Sequence, residues 1–170
     1  MRITIVANGS RGDVQPFVAL GAGLRDAGYA VTLATPTPFE PLVAAHGLDW
    51  ADLAADPRAI LQGESGQLWL ESGHNPVAFV TRLRSIAIPA MERFFDATLR
   101  ACEGADAVVF SPLGVPAWHV AEARGTPAVL ATLIPQVPTA TIPHPLAPAL
   151  PLGRAWNRLS WRFEIGRAHV

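Results

Sequence analysis

The chain has 170 residues, half of them apolar and 16% charged, with a formal net charge of -1. That is enough apolar chain for one α/β domain with a sizeable core, and the near-neutral balance leaves no basic footprint for nucleic acid. All 13 basic residues are arginine, which excludes a phosphate-loop lysine and a Schiff-base lysine. With abundant Ala, Gly and Pro, this suggests a GC-rich, bacterial coding sequence.

The spacing predicts a first strand over Arg2 to Ala7, running into a turn that holds Gly9 and Gly12. Asp13 stands where a helix should begin, and Phe17, Leu20, Leu24 and Ala27 follow at helical spacing. This first helix is expected from Val14 to Ala27, with Gly28 as its stop. A second strand follows over Tyr29 to Thr35. Thr37 then caps a short helix that reaches Ala45, with Pro38 at its first position. Leu48 to Trp50 forms a short third strand.

Asp52 to Asn75 reads as irregular, with Gly63, Gly66 and Gly73 around an apolar Leu68-Trp69-Leu70. That island either walls a hydrophobic pocket or packs a loop on the core. Pro76 to Glu103 is one helix, or two broken at Pro89. Arg82, Arg84, Arg93 and Arg100 on it form a solvated face by default, or an anionic-lipid patch. Ala105 to Phe110 is a buried strand, Pro116 to Arg124 a helix, and Ala128 to Leu133 a further strand. Pro135 to Pro151 is too proline-rich for a regular element. Strands alternating with helices imply right-handed crossovers and a parallel sheet. No repeat, and no linker to a second domain, is visible.

Cys102 stands alone, which rules out a disulfide framework and a thiolate metal cluster; a buried, inert thiol is expected. His46 and His74 have no partner at i+4, so no metal site is expected; His119, after Trp118 at a helix start, reads as core packing or surface. The N-terminus enters a strand with no signal-like segment, and no apolar run reaches the roughly 18 residues of a membrane span. A cytoplasmic protein is expected. At the C-terminus, Ile165 to Val170 is the stretch that the start of a common sequencing adapter would encode, and the other reading is an ordinary helical tail. Residues 164–170 are expected to be a read-through tail, with genuine sequence over 1–163.

The loop after the first strand carries the chemistry. Ligands of open α/β sheets bind at the carboxyl ends of strands, and this loop offers a carboxylate, backbone N–H groups and two glycines. Gly9 and Gly12 let backbone approach a ligand closely. The helix N-terminus favours negative charge, such as a diphosphate edge, and Arg11 reads either as a partner for a phosphate or as an exposed loop arginine. Asp13 reads as a helix cap, worth about 1 kcal/mol, or as a general base. One carboxylate oxygen can cap while the other faces a cleft. Ser111 follows a strand end and should face the same cleft. The loop is not the dinucleotide fingerprint: a third glycine is missing, and Ala34-Thr35-Pro36 stand where an acid belongs. NAD binding is disfavoured.

Three stretches carry a family resemblance: Gly9-Ser-Arg-Gly-Asp-Val-Gln-Pro16, Ala19-Leu-Gly-Ala-Gly-Leu-Arg-Asp-Ala-Gly28, and Val31-Thr-Leu-Ala-Thr35 before Phe39. Weaker echoes are Phe110-Ser-Pro112, Pro143-His-Pro145 and Asn157-Arg-Leu-Ser160. In these the chain resembles the N-terminal half of GT-B glycosyltransferases, in the group that glucosylates sterols, lipids and antibiotic aglycones, with an N-terminal domain of the family 28 type. The resemblance implies a Rossmann-like parallel sheet flanked by helices, one half of a two-domain enzyme. It implies an inverting transfer of a hexose, from UDP-glucose, to a hydroxyl on a lipid, sterol or other hydrophobic acceptor. Asp13 would be the base and Ser10 its small polar neighbour. Gly9, Ser10, Arg11, Gly12, Ser111 and His144 would face substrate. The nucleotide-sugar would be a co-substrate, with no resident cofactor and no metal. A C-terminal donor-binding domain would be missing, and peripheral membrane contact would accompany a lipid acceptor. Two other readings stand beside it: a stand-alone acceptor-binding subunit that pairs with a separate donor-binding chain, and an unrelated nucleotide-binding module.

Overall fold

The structure, a computed structural model, describes residues 1–54, 76–134, 138–144, 147 and 150–165. Two compact units divide the chain, Met1–Ala131 and Thr132–Val170. The second begins at the proline-rich stretch.

The first unit is built on five parallel strands: β1 (Arg2–Val6), β2 (Ala30–Thr35), β3 (Asp49–Asp52), β4 (Ala107–Phe110) and β5 (Ala128–Leu130). Their order in the sheet is β3-β2-β1-β4-β5, with β1 paired to both β2 and β4. The expected parallel Rossmann-like sheet is therefore present. Helix α1 (Arg11–Asp26) and the short α2 (Glu40–Ala45) connect the first three strands. Helix α3 (Pro76–Ala101) precedes β4, and α4 (Pro116–Arg124) joins β4 to β5.

The pleat of β1 explains why both faces are covered. Ile3, Ile5 and Ala7 point into one core with Val14, Phe17 and Val18 of α1. Val6 points into the other, with Phe94 of α3 and Ala117, Val120 and Ala121 of α4. A parallel sheet needs this double cover, and its strands read as near-continuous apolar runs for that reason. The order of connection reverses between β1 and β4: from β1 the chain steps outward to β2 and from β4 outward to β5 on the other side, and the helices that follow them cover opposite faces. That switch point is where such sheets bind ligands.

Several boundaries differ from expectation. Helix α1 begins at Arg11, not Val14, so Ser10 is its N-cap and Asp13 its third helical residue. Pro16 then sits well inside the helix, on the exposed side, where what it removes from the ladder is open to water. Thr37 is not a side-chain cap; it opens a single 3-10 turn (Thr37–Phe39), and its hydroxyl donates to Asp52 Oδ1 at 3.1 Å, tying that turn to the end of β3. Helix α3 is one helix of 26 residues, and exposed Pro89 does not break it. β5 stops at Leu130. The segment around Leu68-Trp69-Leu70 and His74, and the side chain of Arg82, lie outside the described residues, as do residues 166–170 of the suspected tail.

Cys102 is buried at 3% exposure among Val6, Phe94 and Val108. Burial pushes its thiol up to about 11, against the opposing charge of Arg124. The folded chain thus holds this proton more tightly than the unfolded chain. The stabilisation is intact below the ordinary value of 9.0 and is lost as pH rises through about 11. A thiol reagent at neutral pH should label Cys102 only after denaturation, and Cys102→Ala should flatten the alkaline fall in stability.

The second unit contains one described helix, α5 (Gly153–Ile165), for which the sequence reading has no element. Its inner face holds Ser160 and Trp161, with the Trp161 indole donating to the Ile142 carbonyl at 3.0 Å. Asn157 Nδ2 donates to the Ala140 carbonyl at 3.1 Å.

Candidate functional site

The loop between β1 and α1 is held by side chains. Of its four backbone N–H groups, that of Ala7 donates to the Ala34 carbonyl at 3.0 Å and the other three are each taken by a side-chain oxygen. Asn8 N–H donates to Ser111 Oγ at 3.3 Å, Gly9 N–H to Asn8 Oδ1 at 2.9 Å, and Ser10 N–H to Asp13 Oδ2 at 2.7 Å. Free N–H groups were expected here, and this part of the loop has none to offer. The amides still lacking a partner among the described residues are those of Arg11 and Gly12, the first turn of α1, as helix geometry requires.

Asp13 is half-buried and uses one oxygen twice. Besides the Ser10 N–H, Oδ2 accepts the Ser10 hydroxyl at 2.8 Å. A third-position acid reaching back to the N-cap amide is the return half of a capping box. No described residue donates to Oδ1. The cap and the candidate base are therefore the same carboxylate, divided between its two oxygens. Ser10, the small polar neighbour, engages Asp13 directly.

Arg11 is exposed, and its Nε donates to Gln15 Oε1 at 3.1 Å. Among the described residues it pairs with no carboxylate. Gly12 is exposed beside it. Ser111 lies at the β4 end of the same switch point, but at 2% exposure its hydroxyl is a strut rather than a surface group. Its N–H donates to the Val6 carbonyl at 2.9 Å while its Oγ receives Asn8 N–H. The next turn packs Gly114 so tightly that an added Cβ would lie 2.7 Å from the Val6 carbonyl oxygen. Ser111 and Gly114 thus lock the β4 loop to the end of β1.

His144 belongs to the second unit. It is 8% exposed, with its N–H on Ser160 Oγ at 2.8 Å and its ring edge-on to Trp161, 4.8 Å between centroids. Asn8 and Gly114 were absent from the sequence-level site. Asn8 had a signal: an Asn directly before a Gly at a strand end favours a side-chain-closed turn. Gly114 had none, since its neighbour is a backbone atom more than a hundred positions away.

Among the described residues no group of three His, Cys, Asp or Glu side chains is arranged to hold a metal. No described helix is long and apolar enough to cross a membrane. A groove of about 540 Å³ runs along α3, lined by Ala87, Ile88, Met91, Glu92, Phe95 and Asp96, and shares no residue with the loop.

The glycosyltransferase family 28 N-terminal domain matches residues 3–143. The chain belongs to this family. It is 32% identical over 158 residues to the sterol 3-beta-glucosyltransferase of Debaryomyces hansenii, covering 92% of this chain and 10% of that protein. The sterol 3-beta-glucosyltransferase of Emericella nidulans is 32% identical over 162 residues, covering 95% and 11%. The chain therefore spans about a tenth of the length of these relatives. They are fungal, and lend no support to the bacterial origin that composition suggests. Among solved structures, the calicheamicin glycosyltransferase CalG4 matches 78% of this chain and 32% of its own, with a TM-score of 0.54 and 20% identity. The glycosyltransferase VinC, solved with dTDP, matches 78% and 34%, with a TM-score of 0.55 and 18% identity. These two likenesses bear on the fold: the family 28 domain here is one Rossmann-like half of a GT-B architecture.

Proposed function

We propose that this chain is the acceptor-binding domain of an inverting glycosyltransferase that moves glucose from UDP-glucose to a hydroxyl of a sterol or similar hydrophobic acceptor. The observation that carries the reading is the divided carboxylate of Asp13 at the β1–β4 switch point, in a family 28 domain 32% identical to sterol 3-beta-glucosyltransferases. Glycosyl transfer of this kind is one in-line displacement. The acceptor oxygen bonds to the anomeric carbon as the bond to the diphosphate oxygen breaks. The electron pair leaves with the nucleoside diphosphate, and the configuration inverts. A hydroxyl is a weak nucleophile, so a base that takes its proton as the new bond forms lowers the barrier. Asp13 Oδ1 is that base, and the proton passes from it to solvent. The open first-turn amides of Arg11 and Gly12, and the Arg11 guanidinium, suit the negative edge of the diphosphate.

Ser111 acts in this scheme by fixing the loop. His144, packed on Trp161, lends the second unit its shape. The donor sugar is a co-substrate, and the residues present call for no resident cofactor. The donor-binding half lies in sequence beyond this chain, in keeping with the tenth of its relatives that the chain spans. The enzyme works in the cytoplasm and meets a lipid acceptor at a membrane surface. The test is transfer of labelled glucose to a sterol. The longer gene product should perform it and the 170-residue chain should not; transfer by neither would overturn the reading.

A further inference from the structure

We infer that Gly9 is a positioning residue for Asp13: its bare α-carbon lets the carboxylate fold back onto Ser10 through Oδ2, so that Oδ1 alone is left to take a proton. The inference rests on the reading of Asp13 as the base.

Gly9 has φ +129°, where side chains of L residues are rarely found. More telling is what a side chain there would meet. A Cβ on Gly9 would lie 2.5 Å from Asp13 Oδ2, and 2.9 Å from both the Cβ and the Cγ of Asp13. That oxygen is the one holding the Ser10 N–H at 2.7 Å and the Ser10 hydroxyl at 2.8 Å. Two attractive contacts therefore converge on a single atom, and the space a Gly9 side chain would need is the space that atom fills. Any residue larger than glycine would push the carboxylate off Ser10 or rotate it, exchanging the roles of its two oxygens. Gly12, three residues on, shows the contrast: a Cβ there would meet only Ser10 Oγ, at an ordinary 3.7 Å. The two loop glycines are thus unequal. Only Gly9 is required by the carboxylate.

Amide exchange of Ser10 in the 170-residue chain reads the clamp directly. Asp13→Ala removes the acceptor and sets the ceiling. Gly9→Ala should speed Ser10 N–H exchange at least tenfold, close to that ceiling, while the amides of Val14 and Val18 keep their protection. Gly12→Ala should leave Ser10 exchange where it is. An unchanged Ser10 amide in folded Gly9→Ala overturns the inference. Should Gly9→Ala fail to fold, the pair Gly9→Ala/Asp13→Gly decides: folding should return once the obstructing carboxylate is gone. If it does not, the strain is in the backbone alone and the inference falls.

Turnover of the longer protein separates positioning from general damage. Gly9→Ala should lower kcat at least tenfold with acceptor KM unchanged, and should cost nothing further in an Asp13→Asn background. Equal losses in both backgrounds overturn the positioning role. Full turnover by Asp13→Asn alone sinks the base reading instead, and leaves the clamp to be judged on Ser10 exchange.

Discussion

Asp13→Asn should lower the proposed glucosyl transfer by the longer protein about 10²- to 10⁴-fold, the range over which a positioned general base contributes. The substitution is chosen for what it keeps. An amide oxygen can still accept both the Ser10 N–H and the Ser10 hydroxyl that Oδ2 holds now. The start of α1 therefore survives, losing only the favourable meeting of a negative charge with the helix N-terminus, about 0.3–1 kcal/mol. What disappears is a lone pair on the second atom, replaced by an NH₂ group that cannot take a proton. The loss should fall on kcat with acceptor KM little changed, because the carboxylate works in the displacement and contributes little to holding the acceptor. Steady-state kinetics alongside a thermal melt separates the two effects. A melt lowered only slightly, with kcat collapsed, is expected; unchanged kcat would remove Asp13 from the chemistry and leave it as a cap.

Gly114→Ala destabilises the first unit by about 3 kcal/mol, the upper part of the range for overpacking. The cost is high because the obstacle is rigid. The new Cβ would lie 2.7 Å from the Val6 carbonyl oxygen, which already accepts the Ser111 N–H, and 3.2 Å from Val6 Cγ1. Strand β1 is paired on both sides and cannot give way, so the β4 loop must move. For a chain of this size that corresponds to a melting point roughly 6–12 °C lower. The displaced loop carries Ser111 with it and frees Asn8 N–H, so transfer should fall even at temperatures where the variant is folded. Calorimetry of Gly114→Ala against Gly23→Ala checks the mechanism. A Cβ at Gly23 meets nothing within 4 Å, so alanine there should be harmless.

Much of the fold could be read from residue order, because local chemistry and global architecture agree. Apolar runs at Ile3 to Ala7 and Ala107 to Phe110, separated by helical patterns, leave few alternatives to a parallel sheet. Gly28 and Gly125 mark the ends of α1 and α4 and adopt positive φ, at +91° and +65°. The start of α1 was harder. Asp13 is a good cap by type, but Ser10 is one too, and the choice turned on Asp13 reaching back over three residues. Helix α5 was missed although its signal is present: Arg154, Arg158 and Arg162 recur at helical spacing on its exposed side, opposite buried Ser160 and Trp161. In the candidate site, the position of Asp13 beside the end of β1 was legible from its place after the first strand. The role of Ser111 was not, because a serine at a strand end reads the same whether its hydroxyl meets a ligand or a buried amide. Gly9 stood out as a glycine, yet what it accommodates is a side chain of its own loop.

The anomeric configuration of whatever glucoside the longer protein forms when given UDP-glucose and a sterol tests the account most directly. The donor is an α-glucoside. Direct displacement assisted by Asp13 predicts a β-glucoside as the sole product. An α-linked product would require two displacements or entry of the acceptor on the face the diphosphate leaves, and either would contradict the mechanism built on this loop.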